Sequence, residues 1–145
     1  MPGLRRRYGY INDHDISAIK DCWQKNSDDD TDVNVIKSCL RQEYNLVDAQ
    51  LNKAYGEAYR YIEQVPRTGV KKPDTEQLNL LKKSQRAWLD FRDKECELIL
   101  SNEDVQDLSD PYSESEWLSC MIIQTNTRTR QLQLYRNSED FIQAL

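Results

Sequence analysis

The chain is poor in glycine, proline and histidine, and it has no long apolar run. Its 145 residues include four glycines, four prolines and a single histidine, His14. So few turn-forming residues argue against the many tight turns of an all-β sandwich. No stretch approaches the ~18 to 20 apolar residues that span a bilayer, so membrane insertion is not expected. With one histidine and no Cys-x-x-Cys pair, no metal site is expected either.

The usual signatures of enzymes are missing as well. The four glycines form neither a phosphate-binding P-loop nor a dinucleotide-binding pattern. A Ser-His-Asp or Cys-His arrangement would have to use His14, which lies near the terminus. The run Asp28–Asp32 resembles a calcium loop, but an EF-hand needs glycine and glutamate where Val33 and Cys39 stand. The sequence therefore predicts a protein without catalytic residues, metals or cofactors.

Charged residues are abundant and predominantly acidic. They make up 31% of the chain against 38% hydrophobic residues, a balance that suits a narrow core between helices. The formal net charge is -5 at pH 7. This disfavours nucleic acid and anionic membranes as partners, because affinity for phosphates comes mostly from lysine and arginine. An acidic protein attracts basic partners instead.

Apolar residues recur at alternating spacings of three and four, the pattern of amphipathic helices. The three long segments span Asp32–Val65, Asp74–Ile99 and Ser113–Tyr135, and shorter helices are expected at Ser17–Gln24 and Glu139–Leu145. No strand pattern exceeds four residues. The sequence predicts an all-α fold, an antiparallel up-down-up bundle of three helices with a short N-terminal helix.

Four well-spaced cysteines lie along the chain: Cys22, Cys39, Cys96 and Cys120. In a small polar chain they indicate two disulfides and an oxidising compartment. Three connectivities are possible, and reduced cysteines packed as small hydrophobic side chains are the alternative. Within the predicted bundle we expect Cys22–Cys39 and Cys96–Cys120, because each pair closes a short loop. Each disulfide would contribute ~2 to 4 kcal/mol to stability.

The predicted topology gathers acidic residues at one end of the bundle. Residues 101–116 contain six acids and no base, and the run Asp28–Asp30 precedes the first long helix at the same end. We expect this end to contact a protein partner, with a merely solvated loop as the alternative. The expected contacts are Glu103, Asp104, Asp107, Asp110 and Tyr112, with Asp28, Asp29 and Asp30 as a second group.

Polar side chains interrupt the apolar stripes of the helices, where an unpaired buried charge would be costly. We interpret them as a polar network inside the core, and a binding or catalytic role is the alternative. The expected members are Asp48, Asn52, Gln85, Trp88, Arg92 and Arg128. Within the network, Asp48 is the expected partner of Arg92.

The same residues carry a resemblance to a known family. The segment SQRAWLDFRDKEC, residues 84–96, resembles the Q-x2-W-x3-R-x3-C motif of the LprI-like lysozyme inhibitors, which are small exported bacterial proteins. Upstream, the C-x4-Y-x3-D-x2-L-N-x2-Y element is matched by Cys39, Tyr44, Asp48, Leu51, Asn52 and Tyr55. Downstream, the C-x4-T-x2-R-x3-L element is matched by Cys120, Thr125, Arg128 and Leu132. The resemblance covers roughly residues 22–134.

This resemblance implies a helical, disulfide-bonded domain of the periplasm or cell envelope, with inhibition of lysozyme as its activity. Residues 1–14 are interpreted as an N-terminal arm and 15–145 as one domain. No apolar region follows Arg5–Arg7, so the start is not an intact signal peptide. Because of the four cysteines we expect a mature exported domain, and a cytosolic protein is the alternative.

The expected function is inhibition by binding to a basic enzyme that attacks peptidoglycan. The target would be a host lysozyme, or a competitor's effector against which this chain is the immunity protein. A non-catalytic envelope adaptor is the alternative. That adaptor would be favoured by an exposed apolar face on the first or third long helix, where Tyr59 and Tyr61 are the candidate exposed aromatics.

Overall fold

Four helices make up the part of the chain that the structure, a computed structural model, describes: residues 13–24, 33–64, 75–101 and 111–135. They are α1 (Asp13–Gln24), α2 (Val33–Gln64), α3 (Thr75–Ser101) and α4 (Pro111–Leu134). No strand occurs in these ranges. The predicted all-α class and the four helices are confirmed, with α1 beginning earlier than expected. The expected turn at Glu139–Leu145 lies outside the described residues.

Helix α2 buries one continuous face along its whole length. The buried residues follow the spacings of three and four that the sequence displays: Ile36, Leu40, Val47, Leu51, Ala54, Ala58 and Ile62. Such spacing places side chains on one side of a helix with 3.6 residues per turn. The first half of this face packs against α1 and the start of α4. The second half packs against the start of α3 and the end of α4.

Helix α4 is the central element of the fold. Its most extensive contact is with α2, and it also packs against α1 and α3. Leu118 and Ile122 face α1 and α2, whereas Met121 packs with the disulfide between Cys96 and Cys120 beside α3. Leu118 and Ile122 are fully inaccessible to solvent. This helix is therefore surrounded by the other three.

Two disulfides connect neighbouring helices. Cys22–Cys39 joins α1 to α2 with a Cα–Cα distance of 5.4 Å, and Cys96–Cys120 joins α3 to α4 with a Cα–Cα distance of 5.7 Å. These are the pairs expected from the sequence. The first fastens the short α1 to the bundle, and the second fixes α3 beside the central helix.

None of the helices in the described ranges is both long and apolar enough to cross a bilayer.

Candidate functional site

The helix ends that flank the two acidic segments lie side by side. Trp23, next to the last residue of α1, contacts Tyr112 in the first turn of α4, with ring centroids 5.6 Å apart and planes at 75°. Residues 25–32 follow α1, and residues 102–110 precede α4. Both acidic segments are thus attached at the same end of the bundle.

Tyr112 is the one expected contact residue within the described ranges. Asp28, Asp29, Asp30, Glu103, Asp104, Asp107 and Asp110 lie outside the described residues. Half of the Tyr112 side chain, 50%, is exposed. The ring of Trp23 supports it from one side, and the Trp23 indole Nε1 donates a 3.0 Å hydrogen bond to Ser119 Oγ. Tyr112 is therefore an exposed aromatic ring that packs against a tryptophan held in place by a hydrogen bond. Exposed aromatic rings of this kind are typical of protein-binding surfaces.

Two basic residues of α2 also lie at this end, although the pattern of charges along the sequence does not place them there. Arg41 donates a hydrogen bond to Glu114, and Lys37 Nζ lies 3.7 Å from Glu114 Oε2. Glu116, two residues further along α4, is only 4% exposed. Two of the six acids counted between residues 101 and 116 therefore serve contacts within the fold or are buried. The other four acids, at residues 103–110, lie outside the described residues.

Arg92 lies in the interface between α3 and α4 and is only 7% exposed. Its guanidinium stacks 5.2 Å from the centre of the Trp88 ring, and its Nε donates to Asp93 Oδ1 at 3.1 Å. A longer contact of 3.5 Å joins it to Thr125 Oγ1 on α4. The expected pairing with Asp48 is wrong, because the neighbouring Asp93 reaches the guanidinium from the solvent side. No acid then has to be buried to neutralise the arginine.

Tyr44 of α2 lies beside this arginine. Its ring packs against Trp117 and the Cys96–Cys120 disulfide. Burial raises the pKa of the Tyr44 phenol, Arg92 opposes that shift, and the half-buried Asp48 adds to it. Asp48 thus acts electrostatically on Tyr44, although it does not bind Arg92. Asn52, one turn further along α2, is exposed, so its expected place in the core is also wrong.

Arg128 of α4 binds α3 through neutral oxygens. It is 6% exposed, and its guanidinium donates to Gln85 Oε1 at 2.9 Å and to Ser84 Oγ at 2.8 Å. A further bond of 3.3 Å reaches Gln131 Oε1 on its own helix. Gln85, expected in the polar network, therefore has a defined partner. Arg92 and Arg128 together with the disulfide attach α3 to α4 at three levels.

The two tyrosines considered for an exposed face differ in environment. Tyr61 is 36% exposed, whereas Tyr59 is half-buried, with its ring beside Tyr55 and Lys82 Nζ 5.5 Å from its centre. Among the described residues, no group of three metal-binding side chains is found.

The three sequence motifs on α2, α3 and α4 lie within the match to a known protein family. A family model described as "Lysozyme inhibitor LprI" matches residues 22–132. A protein of Escherichia coli (strain K12) named "Uncharacterized protein YecT" is 99% identical over 131 residues, covering 90% of this chain and 81% of that protein. "Uncharacterized protein R02472" of Rhizobium meliloti (strain 1021) is 36% identical over 62 residues, covering 41% of this chain and 45% of that protein. No solved structure matches the chain.

Proposed function

Because this chain belongs to the LprI family of lysozyme inhibitors, we propose that it binds and inhibits a basic enzyme that degrades or modifies peptidoglycan. It acts without catalysis and without a cofactor, and it works in the periplasm. The family match carries the proposal, since it extends from the end of α1 to the end of α4 and contains all three sequence motifs.

The contact surface in this proposal is the acidic end of the bundle. We take α2, α3 and α4 to run up, down and up, so that the helix ends flanking residues 25–32 and 102–110 lie at one end of the bundle. The contact between Trp23 and Tyr112 supports this arrangement. A net charge of -5 complements cationic lysozymes, which accelerates association and sharpens specificity.

Tyr112 and the loop acids have different roles in the proposed interface. We propose that Tyr112 supplies an exposed aromatic ring to the target, and that Glu103, Asp104, Asp107 and Asp110 supply negative charge. Asp28, Asp29 and Asp30 are proposed as a second group of acidic contacts. Because Glu114 is already paired with Arg41, its charge contributes little to the target.

Two double charge reversals test the acidic end. Asp104→Lys with Asp107→Lys changes the loop, and Glu63→Lys with Glu76→Lys changes two exposed acids on α2 and α3 by the same net charge. Hen lysozyme and any cell-wall-targeting effector encoded nearby serve as separate targets. We expect the loop variant to inhibit at least about tenfold less well and to lose salt dependence, since close charge pairs at interfaces contribute on the order of kilocalories per mole. Equal losses in both variants would contradict a contact at the acidic end.

A second candidate function is an envelope adaptor without inhibitory activity. It is favoured by exposed apolar side chains, which occur both on the first long helix, α2 (Val35, Leu46 and Tyr61), and on α3 (Leu80, Leu89, Phe91 and Leu98). If neither lysozyme nor a cell-wall effector is captured by the oxidised protein at low salt, inhibition is excluded and the adaptor stands.

A further inference from the structure

A row of apolar side chains on α3 faces away from the core. Leu80, Phe91 and Leu98 remain 56%, 54% and 58% exposed, and the exposed Ala87 lies between them. With about 100° between successive residues, these four positions fall within about 20° of a single line along the helix. The core-facing residues of α3, such as Arg92 and Cys96, lie on a different side.

The row has the spacing of a coiled-coil seam. Separations of four and three residues alternate through the seven positions Leu80, Ser84, Ala87, Phe91, Lys94, Leu98 and Ser101. Of these, Ser84 lies at the edge toward α4, where its hydroxyl accepts the hydrogen bond from Arg128. This is the repeat that lets two helices pack along one line. We refer to these seven residues as the α3 seam. Its length is about 32 Å at about 1.5 Å per residue.

Six of the seven seam residues form three pairs that are symmetric about Leu89, and Ser101 is the exception. Leu80 and Leu98 each lie nine residues from this point, and Ala87 and Phe91 each lie two residues from it. When two identical helices pair in antiparallel orientation around a two-fold axis, positions equally far from the centre face each other. Leu80 then meets Leu98 of a second copy. Ala87 meets Phe91 of that copy, which places a small side chain opposite a large one.

Charges beside the seam fit the same pairing. Lys83 and Glu97 are exposed on one edge of the seam, six residues before and eight residues after its centre. An antiparallel pair brings this edge of one helix against the same edge of the other, so two Lys83–Glu97 pairs form by symmetry. Asp90 lies on this edge near the centre, and its charge is compensated by Lys94 Nζ at 2.7 Å.

From this self-complementarity we propose that the protein forms a two-fold dimer in which the α3 seams of two copies pack antiparallel. The face of a single helix buries little surface compared with a standard interface of roughly 800 Å² per partner. We therefore expect a weak dimer, with a dissociation constant on the order of micromolar. The antiparallel arrangement places the two Tyr112 ends at opposite poles, where each remains accessible. The dimer therefore does not depend on the proposed inhibition.

Sedimentation velocity over a concentration series tests the dimer. Phe91→Asp should weaken dimerisation by about 100-fold, because it removes a buried aromatic ring and adds a charge twice. Leu46→Asp changes a leucine of α2 that is 54% exposed and outside the seam, so it serves as the matched control and should leave dimerisation unchanged. Circular dichroism checks that both variants fold. A wild-type protein that stays monomeric, or equal effects of the two variants, would overturn the proposal.

A charge exchange tests the antiparallel register. Lys83→Glu and Glu97→Lys should each weaken the dimer about tenfold, since each creates two like-charge contacts. The double variant restores opposite charges and should return to within about threefold of wild type. A double variant as weak as the singles would exclude this register. If the wild-type protein is a monomer and Phe91→Asp abolishes its capture of lysozyme, the seam binds the target and the dimer is disproved.

Discussion

Helices α3 and α4 have similar lengths, 27 and 24 residues, but they contribute to the fold in opposite ways. The central α4 buries polar side chains, among them Ser115, Ser119 and Thr125, each with no exposed surface. The peripheral α3 instead exposes large apolar side chains such as Leu80 and Leu98. Position in the bundle, rather than the average polarity of a helix, therefore decides what is buried.

Hydrogen bonding within α4 explains why its polar residues can be buried. The Ser119 hydroxyl donates to the Ser115 carbonyl at 2.9 Å, and the Thr129 hydroxyl donates to the Thr125 carbonyl at 3.1 Å. A small hydroxyl side chain that binds the carbonyl one turn earlier needs no partner from another helix. Ser119 and Thr129 are therefore buried with their hydroxyl groups hydrogen-bonded inside α4.

The family motif follows the same division between the two helices. Its members on α3 and α4, including Arg92, Cys96, Cys120 and Arg128, lie in the contact between these helices. The outward face of α3 and the acidic segments are outside the motif. The motif residues on these two helices therefore hold the bundle together, whereas the proposed contacts with a target lie outside the motif.

The largest expected effect comes from equal truncations on the two helices. Leu118→Ala on α4 should lower the free energy of unfolding by about 3 kcal/mol, because it opens a cavity at a fully buried site. Leu98→Ala makes the same change at a site that is 58% exposed and should stay within about 0.5 kcal/mol of wild type. Urea unfolding of the oxidised monomer measures both. Similar losses would mean that α3 is as buried as α4 and would remove the contrast.

Removing the disulfide between the two helices should cost somewhat less. Replacing Cys96 and Cys120 with alanine should lower stability by about 2 to 4 kcal/mol, because the unfolded chain gains freedom. Hydrogen exchange should show that the amides of α3 lose more protection than those of α4. The matched variant replaces Cys22 and Cys39 with alanine, and its loss of protection should centre on α1. Uniform loss in both variants would argue that the bundle opens as a single unit.

A smaller effect is expected where α1 touches the central helix. Trp23→Phe removes the indole donor and Ser119→Ala removes its acceptor, and each should cost about 1 kcal/mol. In a double-mutant cycle the second change should cost less once the first is present, because the shared hydrogen bond is already lost. Additive losses would show that this bond contributes nothing to stability.

Much of the fold could be predicted from the sequence because regular spacing encodes helices directly. The buried positions of α2 are those marked by its repeat, and the cysteine pairs followed from the order of the helices. The central position of α4 could not be predicted this way. Its serines and threonines read as polar, and their internal hydrogen bonds appear only in three dimensions.

The candidate site was harder to predict for a related reason. Residues 101–116 contain six acids, but Glu114 binds Arg41 and Glu116 is buried, so the count alone does not show which acids are exposed. Which acids are used internally depends on the packing of α2 against α4. Likewise, Arg92 takes Asp93 rather than Asp48, because a neighbouring residue can reach its guanidinium without entering the core.

The smallest expected effect concerns Tyr44, which lies where α2 meets the contact between α3 and α4. Burial raises the pKa of its phenol above the ordinary value of 10.0, so the folded protein holds this proton more tightly than the unfolded chain does. This contribution to stability is complete below about pH 10 and is lost as the pH rises through the raised pKa, because the unfolded chain ionises first. Tyr44→Phe should therefore show a shallower decline in unfolding free energy above pH 10 than wild type, measured by urea unfolding with the disulfides intact. Parallel curves for the two proteins would mean that Tyr44 is as accessible to solvent as the outward face of α3.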